Sequence, residues 1–228
     1  GSVRLFERHR GGTNHCGEST KLSYSAVGDA GWVNEFGSGV ALKGDLLIVG
    51  AARASVSWQN TADGAAYIFR YSTTDRDVWN FTARLIAPGA DRCLGGLTVS
   101  QFLTVNAGNE AAIDEADRCA SMDVDTRDDN FGNAVATNGN TVAIGARFAA
   151  REDLKTGAVH LYQATMNVDQ WTHVGDLGPE NGGWFGSSIA LSSNRLLVGE
   201  LAAAHVYERD ADGTGAWTKI EDLFTGLV

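Results

Sequence analysis

Apolar positions along the chain come in short runs set apart by turn-forming residues. Leu46 to Val49 and Thr141 to Ile144 are nearly continuous apolar stretches, the pattern of a strand covered on both faces. Each follows a segment of small residues and is joined to it by a tight connection at Lys43-Gly44, Asn138-Gly139 or, in a third copy, Ser193-Asn194. These residue types accept the positive φ of hairpin turns. A β-rich run comes next: Gly64 to Phe69, Gly157 to Tyr162, and Ala203 to Tyr207. After it stands a Trp with a Leu six residues on, at Trp79 and Leu85, Trp171 and Leu177, Trp217 and Leu223. The pattern predicts a unit of four short strands, repeated.

Self-similarity fixes the period of that unit. Phe36-Gly37, Phe131-Gly132 and Phe185-Gly186 are each followed by a second glycine, Gly50, Gly145 and Gly199, 14 residues after the Phe. Chance does not give the same spacing in all copies, and a recurring unit is the signature of a repeat architecture. The first strand of each unit is built of small residues. It fits where radial sheets converge, because bulky side chains there would hold neighbouring sheets apart. A lone four-stranded unit cannot hide both of its faces, so the units must stack. The expected fold is all-β: a β-propeller of four-stranded antiparallel blades.

These segments resemble FG-GAP repeats, the blades of the integrin α-subunit type of propeller, and in particular the shorter variant of secreted multi-repeat proteins. Both the Phe-Gly and the Gly-Ala pair occur in two copies (Gly50-Ala51, Gly145-Ala146), whereas the third has Gly199-Glu200. The resemblance spans roughly residues 1 to 90 and 129 to 228. Gly1 to Phe6 matches Gly64 to Phe69, which places the start of the chain in a third strand. The expected division is a half blade (1–30), a blade (31–90), an insertion (91–128) and two further blades (129–180 and 181–228). That is about three and a half blades, whereas closed propellers have at least about four. The stretch is expected to belong to a longer propeller, or to complete a ring or an array with another chain.

The first two Phe-Gly pairs stand 95 residues apart and the next two 54, which locates the insertion. It carries a β-prone run, Leu97 to Val105, a short expected helix, Glu110 to Arg118 with Asn109 as N-cap, and two of the chain's three cysteines. A disulfide between Cys93 and Cys119 would pin the base of the excursion and remove unfolded-state entropy worth about 3 kcal/mol. Two reduced thiols are the alternative, and Cys16 is the odd one out. Asn80-Phe81-Thr82 is a glycosylation acceptor pattern. These features point to an extracellular or cell-surface setting.

In a four-stranded meander the second-to-third loops and the blade-to-blade connections share one end. That end collects the long loops, and rigid scaffolds present function on loops; in integrin-type propellers this face meets partners. Arg53, Trp58, Arg147, Phe148, Arg151, Trp32 and Trp184 are the expected binding anchors, since Arg and aromatic side chains dominate interface hot spots. For Trp32 and Trp184, plugging gaps between blades is the competing role.

Charge narrows the partners. Eighteen Lys plus Arg against 28 Asp plus Glu give a formal charge of −10, which disfavours phosphate backbones and anionic lipid. No apolar run approaches the ~20 residues that span a bilayer. Calcium, common in integrin-type blades, is not expected, because the first-to-second-strand connections are too short for an Asp-x-Asp-x-Asp-Gly loop. The nearest acidic cluster, Asp123, Asp125 and Asp128, has Arg127 where a further ligand would stand. The histidines at 9, 15, 160, 173 and 205 lack zinc-site spacing, and His160 and His205, at matching places in third strands, read as packing or outward display. No nucleophile elbow or phosphate-cradling Gly-Lys-Ser/Thr run appears, and no cofactor is expected.

The expectation is a non-enzymatic extracellular interaction or adhesion module binding a protein partner through the long-loop face. The alternatives are a carbohydrate-binding propeller, with Trp32, Trp58 or Trp184 stacking on sugar, and a structural repeat unit that assembles into a ring or fibre. A hydrolase whose catalytic part lies elsewhere in a longer chain is a further possibility.

Overall fold

A computed structural model describes residues 1–27, 33–54, 64–88, 129–151, 154–166, 170–179, 183–210 and 215–224. An antiparallel pair, β1 (Ser2–Arg8) and β2 (Cys16–Ser23), is followed by a 3-10 turn at Tyr24–Val27. The first four-stranded sheet is a simple meander of β3 (Val33–Lys43), β4 (Leu46–Ala54), β5 (Ala65–Tyr71) and β6 (Trp79–Leu85). The second comprises β7 (Phe131–Thr137), β8 (Thr141–Ala146), β11 (Ala158–Ala164) and β12 (Trp171–Leu177). A two-stranded hairpin, β9 (Ala150–Arg151) with β10 (Leu154–Lys155), rises from its long loop. The third sheet is β13 (Ser188–Ser192), β14 (Arg195–Gly199), β15 (Ala203–Arg209) and β16 (Trp217–Phe224). The fold is all-β, with four-stranded antiparallel sheets standing as propeller blades. The inserted segment, with its expected helix, lies outside the described residues.

The tight turns carry the backbone their residues foretold: φ is +60° at Gly44, +103° at Gly139 and +44° at Ser193. Alternation along the inner strands then splits consecutive side chains between two cores. From β4, Leu47 and Val49 pack with Phe36, Tyr67 and Phe69 against Val3, Leu5 and Leu22 of the N-terminal pair. Leu46 and Ile48 point the other way, into a core shared with Phe131, Val142 and Ile144 of the second sheet. From the second sheet, Ala143, Val159 and Leu161 face Phe185, Leu196 and Val198 of the third. The cores therefore lie between sheets, which explains why the apolar runs of β4 and β8 are buried along nearly their whole length. β14 instead alternates between buried and open positions.

Glycine sets how closely the blades approach. A Cβ on Gly50 would stand 1.9 Å from the Gly132 carbonyl oxygen, and one on Gly145 2.1 Å from that of Gly186. The second glycine of one repeat thus lies against the Phe-Gly glycine of the next, backbone on backbone, where no side chain fits. A polar staple crosses the same seam. Ser38 donates to the Gly132 carbonyl at 3.0 Å. In the next repeat Asn133 Nδ2 donates to the carbonyls of Gly186 (3.1 Å) and Ser187 (3.2 Å). Asn133 Oδ1 accepts the Arg147 backbone N–H at 3.1 Å.

Candidate functional site

At the long-loop end, Arg147, Phe148 and Trp184 come together from two connections. Arg147 and Phe148 leave β8, and Trp184 precedes Phe185 at the entry to the third sheet. The Arg147 guanidinium lies 4.7 Å from the Phe148 ring centroid, a cation–π contact, and its Nε donates to Asn130 Oδ1 at 3.2 Å. Phe148 meets Trp184 edge-on, centroids 6.1 Å apart. Trp184 has φ of +64°, a left-handed backbone that is costly for a bulky residue, and its side chain is 46% exposed. The residue before the repeat Phe is left-handed in the other copies too, at Glu35 and Asn130. The backbone twist is therefore a property of the repeat, and its use to hold an exposed Trp belongs to this blade.

The other expected anchors are distributed differently. Arg53 is exposed on β4, where its backbone pairs with Asn34. The backbone of Arg151 lies in the β9–β10 hairpin. Trp32, Trp58, Cys93, Cys119, Asp123, Asp125 and Asp128 lie outside the described residues. Asn80 is exposed on β6, and Cys16 is an exposed free thiol. Among the described residues no helix is long and apolar enough to cross a membrane.

A second constellation occupies the third and fourth strands. In the second sheet, His160 Nδ1 and His173 Nε2 stand 2.6 and 2.7 Å from the same oxygen, Asp176 Oδ1. Burial pushes the Asp176 carboxyl up, but the hydrogen bonds and charge of His160, then His173, outweigh it and hold it at about 2. In the third sheet, His205 Nδ1 meets Asp222 Oδ1 at 2.6 Å and His205 Nε2 meets Glu200 Oε2 at 3.1 Å. Lys219 Nζ donates to Asp222 Oδ2 at 3.1 Å. Hydrogen bonds from His205 and then Lys219 lower the Asp222 carboxyl. Between these sheets a cavity of about 250 Å³ is lined by Asp176, Leu177, Pro179, His205, Tyr207 and Lys219.

Residues 26–69 and 123–162 match the family described as FG-GAP repeat. These two segments are FG-GAP repeats. The matched segments contain the Phe36-Gly37 and Phe131-Gly132 pairs, and Gly132 stands against Gly50 at the seam between the first two sheets. Among curated proteins, none matches the chain in sequence. Among solved structures it is similar to Sqt1 of Saccharomyces cerevisiae, at 8% identity and a TM-score of 0.46, covering 85% of this chain and 36% of that one. It is also similar to a "putative 6-phosphogluconolactonase" of Bacteroides fragilis NCTC 9343, at 15% identity and a TM-score of 0.46, covering 82% of this chain and 40% of that one. The chain thus spans well under half the length of either.

One feature of these sheets was not visible in the sequence. Each four-stranded sheet, and the β1–β2 pair, has a β-bulge at the same place in its last strand. Leu161 pairs with Gly175 and Tyr162 with His173, so Val174 is passed over. Thr82, Ile220 and Ser19 are passed over in the same way. Residues three apart on a regular strand face opposite sides. The extra residue brings them to one side, which is how His173 and Asp176, or Lys219 and Asp222, come to act together.

Proposed function

We propose that the chain is a non-enzymatic interaction module, an FG-GAP propeller segment that binds a protein partner through its long-loop face in an extracellular setting. The observation that carries this reading is the Arg147–Phe148–Trp184 cluster. An exposed Trp, held edge-on by a Phe whose other neighbour is a hydrogen-bonded Arg, is an anchor whose ordering cost is met before binding. FG-GAP repeats and the exposed Asn80 acceptor pattern support the extracellular setting. The test is to probe the intact chain and an Arg147→Ala/Trp184→Ala double variant against an array of secreted and cell-surface ectodomains. Loss of two hot-spot side chains is expected to weaken a specific hit by about thirtyfold or more. Equal binding by both proteins would overturn the proposed surface, and glycan-array hits abolished by Trp184→Ala would move the reading to carbohydrate.

A second reading, assembly through blade faces, rests on the outward side of the third sheet. Leu197, Val206 and Leu223 occupy the register positions of Ile48, Ile68 and Leu85, which are buried between the first two sheets. Leu197 and Leu223 are 38% and 44% exposed. The face has the composition of an interblade face without, among the described residues, a blade upon it. Light scattering that finds only monomer at high concentration would remove this reading for the segment.

A further inference from the structure

We propose that His160, His173 and Asp176 form a binding site for a divalent transition-metal ion of the zinc type, on the third and fourth strands of the second sheet. The proposal does not depend on the loop-face reading. Two imidazoles and one carboxylate are the donor set such ions take, and three protein ligands leave a position for water or another ligand. One donor atom from each residue lies within 4.8 Å of the others. Ligands on a tetrahedral ion with bonds of about 2.0–2.2 Å are about 3.3 Å apart. The nitrogens now stand 2.6 and 2.7 Å from Asp176 Oδ1. A bound ion would therefore require each nitrogen to move somewhat over half an ångström away from Asp176 Oδ1.

The surroundings fit that use. The His160 ring lies 5.4 Å from Phe131, the repeat phenylalanine, and the His173 ring 5.3 Å from Tyr162, so both imidazoles are braced by aromatic neighbours. His160 is nearly buried, whereas the His173 and Asp176 side chains are about a third exposed, which gives an ion a way in from solvent.

The chain carries its own control. His160, Tyr162, His173 and Asp176 correspond in register to His205, Tyr207, Lys219 and Asp222 in the third sheet. There the His–Asp pair is kept, but the remaining position holds an ammonium, which has no lone pair and supplies the positive charge itself. In the first sheet the corresponding residues are Tyr67, Phe69, Phe81 and Arg84, which offer no imidazole or carboxylate. Among the described residues, only the second sheet adds to the His–Asp pair a further nitrogen that can offer a lone pair, and a bound cation would take the place that Lys219 fills in its neighbour.

The test is calorimetric titration of the untagged full chain with zinc, with cobalt(II) as a spectroscopic substitute. One equivalent is expected to bind, with the visible absorption of a low-coordinate cobalt(II) site. His173→Lys, which copies the third sheet, and Asp176→Asn are expected to weaken this binding by more than about a hundredfold, beyond the 10–100-fold typical of losing an outer-shell partner. Both variants retain all three cysteines, so binding through thiols would survive in them. Unweakened binding in His173→Lys, or no binding by the wild type, would overturn the site. Should a variant fail to fold, imidazole NMR of the wild type decides: zinc must shift His160 and His173, and unmoved resonances would end the proposal.

Discussion

The second and third blades follow the same strand order, the same bulge and the same Phe-Gly start, yet they differ where the second has a neighbour on both sides. β8 is buried throughout and β14 alternates. Gly145 touches the backbone of the next blade, whereas the atoms nearest a Cβ on Gly199 belong to Ser188 of its own sheet, the hydroxyl closest at 2.2 Å. Equivalent sequence positions thus acquire their roles from what stands beside them. A repeat glycine is a packing requirement at a seam and a tolerant position at an open face.

The comparison can be broken most decisively at the glycines. Gly145→Ala is expected to destabilise the chain by about 3 kcal/mol or more, because its Cβ meets backbone that cannot move without parting two sheets. Gly199→Ala is expected to cost under about 1 kcal/mol, since the Ser188 hydroxyl can rotate away. Urea unfolding of both variants measures the contrast, and equal losses would refute the seam argument.

The polar staple gives a smaller contrast. Asn133→Ala leaves two carbonyls and an N–H at the seam without their partner and is expected to cost about 1–3 kcal/mol. Ser187→Ala, whose hydroxyl donates only within the third sheet to the Gly199 carbonyl at 3.2 Å, is expected to cost about 1 kcal/mol or less. Denaturation midpoints again decide, and a Ser187→Ala loss equal to that of Asn133→Ala would sink the distinction.

The smallest effect is in pH dependence. Asp176 titrates at about 2 when folded, below the ordinary 3.8. Between these values the unfolded chain binds the proton first. The stabilisation is therefore complete above about pH 4 and is lost as pH falls through the folded value. In the presence of a chelator, Asp176→Asn should flatten this part of the acid-unfolding curve; a curve that keeps its full slope would show that the carboxylate contributes nothing there.

Residue type and loop position single out Arg147, Phe148 and Trp184, and the fold brings these three into contact. Trp32 and Trp58 lie outside the described residues. The His–Asp constellation was not legible, because His173 and Asp176 have a spacing that a regular strand sends to opposite faces. The passed-over Val174 has no sequence signature to announce it.

By itself the sequence determined the repeat, the strands within it and the tight turns, because these depend on local alternation, on residues that accept positive φ and on a period that can be counted. Tertiary structure alone decided which glycines are seams, which apolar faces are covered and which histidines share a carboxylate. Those outcomes depend on contacts between residues far apart in the chain and on a one-residue bulge, and alternation along a single strand carries no record of either.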